Sequence, residues 1–472
     1  MAGLHSSMDP MANRSLTEMD RAHLIHPVTS FRGHEAHGVR VLSSGRGMWL
    51  TDSDGREVLD AFAGLWCVNA GYGQESIVEA ATEQMRTLPY ATSYFHYGCE
   101  AAIRLADKLT DLAPSGLDHV YFTLGGSDAV DSAIRYITHY FNAIGQPDKK
   151  QFIALEWGYH GSSSTGAGMT ALPAFHRGFD LPRPWQHYIA SPYPYRHENG
   201  DDDEAVIAST VSALEAKVAE LGADKVAAFF CEPIQGSGGV IVPPVGWLKA
   251  IRDACDRLGI LMLVDEVITG FGRTGPMFAC DAEGVKPDFM TLAKGLTSGY
   301  VPMGAMLMAD HVYQAIADSA PAALPVGHGF TYSGHPVSAA VALEVIRLYE
   351  NGLLENGRKT GIRFGERLQA IADHPLVGDV RWRGMLGAIE LVSDKSTKAS
   401  FGAELAIADR LNAISWENGV IVRNFPQGVI GFAPALCCSD DEMDLIFDRV
   451  EKSLDQLMDV AEVRAALGVG GK

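Results

Sequence analysis

Leu261-Met-Leu-Val-Asp-Glu266 and Phe289-Met-Thr-Leu-Ala-Lys294 are two short apolar runs that each end on charge. Runs of four or five such residues suit strands covered on both faces, as in a parallel sheet. The acid and the lysine stand 29 residues apart. Outward from this pair the rhythm repeats. His119-Val-Tyr-Phe-Thr, Gln151-Phe-Ile-Ala-Leu, Val226-Ala-Ala-Phe-Phe-Cys231 and Met303-Gly-Ala-Met-Leu-Met308 read as strands, and 127–144 and 246–257 as helices. Alternation of this kind predicts an α/β fold with a mainly parallel sheet between helices.

Further out the pattern changes. Residues 47–60 read as a hairpin turning at Asp52-Ser-Asp-Gly55, and 75–87 and 98–112 carry helical spacing. Beyond about residue 335, helices at 336–351, 355–373 and 402–417 interleave with strand-like Gly384–Leu391 and Val420–Val422. The expected division is an N-terminal segment 1–70 belonging to a smaller α+β domain, a large domain 71–335, and the rest of the small domain at 336–472.

Composition narrows the function. The 472 residues are 47% hydrophobic and 20% charged, ordinary values for a folded globular chain. The net charge of −20 and the lack of any basic stripe argue against a nucleic-acid partner. No run approaches the roughly 18 apolar residues of a membrane span. The N-terminus lacks a basic start followed by an apolar core, so no secretory signal is expected. Seven scattered cysteines without a C-x-x-C suggest reduced thiols and a cytoplasmic protein. The acidic patch Asn199–Glu204 reads as a solvated loop, and no metal is expected at the site.

In parallel α/β sheets, ligands bind beyond the carboxyl ends of the strands. Those ends here offer Gly125-Gly126-Ser127, Tyr159-His160, Glu232, Asp265-Glu266 and Lys294. Each alone is ambiguous, since an acid after a strand often caps a helix and a lysine is usually solvated. Together they suit pyridoxal phosphate, whose aldehyde needs an amine and whose ring nitrogen needs a carboxylate. Glycines between a strand and a helix leave N–H groups free for a phosphate. No G-x-x-x-x-G-K-[ST] is present, which disfavours a Walker-type nucleotide site, and a dinucleotide fingerprint is also missing.

These stretches resemble the class III aminotransferases of the fold-type I pyridoxal phosphate enzymes, and within them the ω-transaminases. The resemblance is carried by Leu261–Gly275, Pro287–Gly295, Glu232–Gly239, Tyr159-His-Gly161, Phe330–His335 and Leu65–Gly73, and spans about 25–455. It implies a seven-stranded, mainly parallel sheet in the large domain, a smaller α+β domain, and a homodimer (with a tetramer as the larger option) whose active sites are shared.

By that resemblance, Lys294 forms the Schiff base with the cofactor and then serves as general base, while Asp265 pairs with the pyridinium nitrogen. Val267 and Tyr159 cover the two ring faces. Gly126 and Ser127 bind the phosphate, completed by Thr331 of the partner subunit. Gln235 reaches the phenolic oxygen and Glu232 braces the site. Trp66, the partner subunit's Phe95, Tyr159 and Arg423 line the substrate pocket, with Arg423 gripping a carboxylate; core packing for Trp66 and a surface position for Arg423 are the plain alternatives.

The chain departs from the family twice. Leu124-Gly125 replace a more polar pair, which removes one phosphate contact. Trp382 stands where a glycine is usual and must find room that glycine did not need. The implied reaction moves an amino group from an amine or ω-amino acid to pyruvate, the cofactor cycling between pyridoxal and pyridoxamine 5'-phosphate. The alternative is a 4-aminobutyrate or diamine transaminase using 2-oxoglutarate. That acceptor has two carboxylates and favours two arginines, of which only Arg423 is persuasive.

Overall fold

The computed structural model describes residues 15–319, 324–425 and 427–467. Near the N-terminus, β1 (Leu42–Arg46), β2 (Trp49–Asp52) and β3 (Glu57–Asp60) form an antiparallel meander. Seven strands then build the main sheet: β4 (His119–Thr123), β5 (Gln151–Leu155), β6 (Gln186–Ile189), β7 (Val226–Cys231), β8 (Leu261–Asp265), β9 (Phe289–Leu292) and β10 (Gly304–Met308). A third sheet holds β11 (Val377–Arg383), β12 (Leu386–Leu391), β14 (Arg423–Asn424) and β15 (Val429–Phe432). The two-residue β13 (Val420–Ile421) instead joins the N-terminal meander, parallel to β3, with Val420 opposite Leu59. Residues from near the N-terminus and from beyond residue 419 thus share one sheet.

The main sheet runs β4-β10-β9-β8-β7-β5-β6, and β10 alone is reversed. Every residue of β7 and β8 is buried, which explains why these runs carry no polar alternation. The expected strands and helices lie where the sequence placed them, within a few residues at their ends. Helix 402–417 is shorter than expected: it begins at Ile407, because Ala406 takes a left-handed φ of 44° and breaks the turn before it. The sequence reading did not include β1, β6, β11, β14 or β15.

Trp382 does not line the central cavity. It lies on β11, against Gly365 of the helix Leu354–Ile371 and against Gly387 of β12. A Cβ on Gly365 would come within 2.4 Å of the indole nitrogen, and one on Gly387 within 2.9 Å of the Trp382 Cβ. The room that the indole needs comes from these two glycines. All seven cysteines are unpaired, and five of them are buried. Among the described residues, no helix is long and apolar enough to cross a membrane.

Candidate active site

Parallel pairing aligns the chemistry. Cys231 of β7 lies opposite Val264 of β8, so Glu232 and Asp265 leave the sheet side by side. Thr291 of β9 lies opposite Asp265, and the chain reaches Lys294 three residues later. Lys294 has a φ of 44°, a left-handed conformation that a non-glycine residue adopts only where its surroundings impose it. A cavity of about 850 Å³ opens over these strand ends.

The carboxylates are held in place. His160 Nδ1 lies 2.9 Å from Asp265 Oδ2, and both side chains are buried. The Val267 amide donates to Asp265 Oδ1 at 3.1 Å. Burial alone would drive the proton off His160. The hydrogen bond to Asp265 and the charges of Asp265 and Glu232 outweigh it, and the His160 pKa rises. Glu232 accepts from the amides of Tyr159 (2.9 Å) and Gly236 (3.0 Å), yet desolvation with the Asp265 charge raises its pKa to about 7.

Lys294 shows the opposite shift. Desolvation outweighs the attraction of Asp265, Glu232 and Cys67 and lowers its pKa to about 8. Its ammonium nitrogen lies 5.1 Å from the centre of the Trp66 ring, too weak a contact to reverse that. A substantial neutral fraction at neutral pH is what an amine nucleophile or base needs.

The helix Gly126–Ala143 points its N-terminus at the cavity. Gly125 before it is extended, and no side chain caps the first amides. Those amides and the Ser127 hydroxyl form a ready anion site. A Cβ on Gly126 would come within 3.0 Å of Val267, so a small residue is required between helix and floor. Gly161 has a φ of +107°, and a Cβ there would approach Ser127 to 2.8 Å; glycine is required on both counts. The residues fit pyridoxal phosphate: an uncapped helix start for the phosphate, a buried carboxylate for the ring nitrogen and a partly neutral lysine for the aldehyde.

Gly126, Ser127, Tyr159, Glu232, Asp265, Val267, Lys294, Trp66 and Arg423 all line the one cavity. Arg423 has no carboxylate partner among the described residues and stands over the Phe425 ring at 5.5 Å. Trp66 is buried between Phe62 and Phe425, so it both packs and lines the wall. Gln235 lies beneath the cavity rather than on its lining. Its amide nitrogen donates to the Glu156 carbonyl at 2.7 Å, and its Oε1 is buried without a hydrogen-bond partner among the described residues.

Phe95 and Thr331 are not brought to this chain's own cavity. Phe95 is 82% exposed, and the Thr331 carbonyl accepts from Tyr90 elsewhere on the surface. The sequence reading assigned no role to His160, Phe425, Phe175 or Val28. His160 had a signal in its neighbour Tyr159, which leaves the same strand end. Val28 and Phe175 come from segments with no strand-end position, and Phe425 follows the two-residue β14.

An anion site, a buried carboxylate and a desolvated lysine at the carboxyl ends of a parallel sheet define a pyridoxal phosphate enzyme of the α/β class. The comparisons narrow this. Residues 31–454 match the model for aminotransferase class-III, and the chain belongs to that family. It is a transaminase and uses pyridoxal 5'-phosphate. It is 41% identical to a putrescine–pyruvate aminotransferase of Pseudomonas aeruginosa over 96% of this chain and 98% of that one. It is 37% identical to a diaminobutyrate–2-oxoglutarate transaminase of Halomonas elongata, over 96% and 99%. Among solved structures, the ω-transaminase of Pseudomonas jessenii in complex with PMP superposes with a TM-score of 0.92 at 37% identity, covering 97% of this chain and 100% of that one. A thermostable (S)-enantioselective ω-transaminase from Thermomicrobium roseum gives 0.91 at 39%, covering 94% and 98%.

Proposed function

We propose that this transaminase takes its amino group from an amine or ω-amino acid and delivers it to pyruvate, forming alanine. The observation that carries the acceptor is Arg423, a cavity guanidinium with no carboxylate partner among the described residues. A keto acid with one carboxylate matches it. The walls around it, including Trp66, Phe175 and Phe425, are apolar and suit the hydrocarbon part of the donor.

In this reading the cofactor, when bound, supplies a protonated pyridine ring that accepts electron density from the carbon losing its proton. Asp265, buttressed by His160, holds the proton on the ring nitrogen. Gly126 and Ser127 hold the phosphate through amides and a hydroxyl. Val267 and Tyr159 would flank the ring, and Gln235 would serve the phenolic oxygen through a side-chain N–H. Glu232 braces the Tyr159 and Gly236 backbones. Lys294 would hold the cofactor's aldehyde through its amine, with loss of water, and, freed when the donor amine takes its place, would carry the proton from the donor carbon to the cofactor side. Arg423 orients the acceptor carboxylate by two parallel hydrogen bonds.

The reading includes a cytoplasmic homodimer in which Thr331 of the partner subunit completes the phosphate cup and the partner subunit's Phe95 closes the pocket. Residues 71–335 form the cofactor domain, and 1–70 with 336–472 the smaller one. A second reading, a diamine or 4-aminobutyrate transaminase using 2-oxoglutarate, draws on the Halomonas relative. A panel separates them: putrescine, 4-aminobutyrate, β-alanine and 1-phenylethylamine, each with pyruvate and with 2-oxoglutarate. Turnover with pyruvate at least tenfold faster supports the first reading; preference for 2-oxoglutarate overturns it.

A further inference from the structure

Outside the active site, three side chains converge in the N-terminal arm. Helix Leu16–His23 carries Asp20, the following turn carries His26, and helix Phe31–His37 carries His34. His26 Nε2 lies 2.7 Å from Asp20 Oδ1, and His34 Nε2 lies 3.0 Å from Asp20 Oδ2. The three ligand atoms lie within 4.8 Å of one another. The His34 and Asp20 side chains are only 9% and 11% exposed.

Hydrogen bonding accounts for only half of this cluster. His26 and Asp20 are aligned as a hydrogen bond. His34 Nε2 and Asp20 Oδ2 are not, and both atoms are buried without a hydrogen-bond partner among the described residues. An imidazole nitrogen and a carboxylate oxygen, sheltered and in contact at 3.0 Å without the alignment of a hydrogen bond, leave part of their desolvation penalty uncompensated. A cation between them would offset it.

We propose that Asp20, His26 and His34 form a binding site for a divalent transition-metal ion of the zinc type. Two imidazoles and one carboxylate are a donor set that zinc takes in a tetrahedral shell, with water as the fourth ligand. Bonds of about 2.0–2.1 Å place tetrahedral ligand atoms roughly 3.3 Å apart, so the His–Asp contacts of 2.7 and 3.0 Å would lengthen slightly. The site also has a position in the fold. Val28, two residues beyond His26, has a φ of 51° and lines the active-site cavity. Metal binding ties both short helices to the turn that presents Val28 and so fixes the arm at the cavity edge.

The test uses full-length, cofactor-loaded protein stripped with a chelator and titrated with Zn²⁺ against a chromophoric competitor. The expected result is one tight equivalent per chain, weakened about 100-fold or more in both His34→Gln and Asp20→Asn. In parallel, zinc should slow tryptic cleavage after Arg21 and Arg32 in the parent chain and leave the two variants unchanged. No tight equivalent, or one kept in both variants, overturns the site. Tight binding with cleavage unaffected by zinc overturns the fixing of the arm.

Discussion

The floor and the rim of the cavity are built by different rules. The floor is made by consecutive parallel strands of one sheet. Asp265, Glu232 and Lys294 leave neighbouring strand ends, and His160, Val267 N–H, Tyr159 N–H and Gly236 N–H hold the carboxylates in place. The rim is gathered from distant segments: Val28 from the arm, Trp66 from the turn after β3, Phe175 from an insertion, and Arg423 with Phe425 from the C-terminal part. The floor is crosslinked by hydrogen bonds, whereas the rim meets mainly through ring contacts. On the proposed reading, the chemistry common to transaminases sits on the hydrogen-bonded part, and substrate choice where side chains can change without disturbing the sheet.

Substitutions should separate the two regions, and the floor should give the larger effects. Lys294→Ala should bind cofactor yet lower turnover by at least about 10³-fold, since both nucleophile and base are removed. Single-turnover release of product from a donor amine is the measurement. Asp265→Asn removes a buried charge aimed at the ring and should cost about 10²–10³-fold in kcat. His160→Gln should cost less, up to about 10²-fold, because it positions Asp265 rather than touching the ring. A loss in His160→Gln equal to that in Asp265→Asn would break the distinction.

The rim should respond selectively. Arg423→Ala forfeits a charge-assisted pair of about 1.5–3 kcal/mol, so kcat/KM for pyruvate should fall by about 10–150-fold. With 1-phenylethylamine as donor, kcat/KM should stay within a few-fold. Equal losses for both substrates would remove Arg423 from the carboxylate role and place it with the general packing of the rim.

The smallest effect is a pH dependence at the floor. The neutral lysine is the form that reacts with an aldehyde. With its pKa lowered to about 8, roughly a tenth of Lys294 is neutral at pH 7. The rate at which stripped protein takes up pyridoxal phosphate should therefore rise with pH and level off above about 8. Glu232 is one of the charges that hold this pKa up, so Glu232→Gln should move the midpoint to lower pH. A rate that keeps rising to pH 10, like that of an ordinary lysine, would contradict the desolvated floor.

The same contrast explains what the sequence disclosed. Asp265 and Lys294 were legible because each ends an uninterrupted apolar run, and a buried strand can stop in only a few ways. The strands β1 and β6 were hidden because Leu-Ser-Ser-Gly-Arg and Gln-His-Tyr-Ile carry little apolar signal. Within the site, the pairing of His160 with Asp265 joins residues 105 positions apart, and nothing local announces it. Val28 and Phe425 reach the cavity only through tertiary packing. Trp382 was expected to need room that glycine did not; Gly365 and Gly387 leave that room, a compensation that links residues from three different elements. Phe95 and Thr331 were named from the resemblance, and they lie away from this chain's own cavity.

The central claim, amino transfer from an amine to pyruvate through one cofactor held by Lys294 and Asp265, has a direct test in the separated half-reactions. Cofactor-loaded protein mixed with 1-phenylethylamine and no acceptor should release one equivalent of ketone per site and leave the cofactor as pyridoxamine 5'-phosphate. Pyruvate added next should form one equivalent of alanine and restore the aldehyde form. No ketone in the first step, or alanine formed only when donor and pyruvate are present together, would contradict the account.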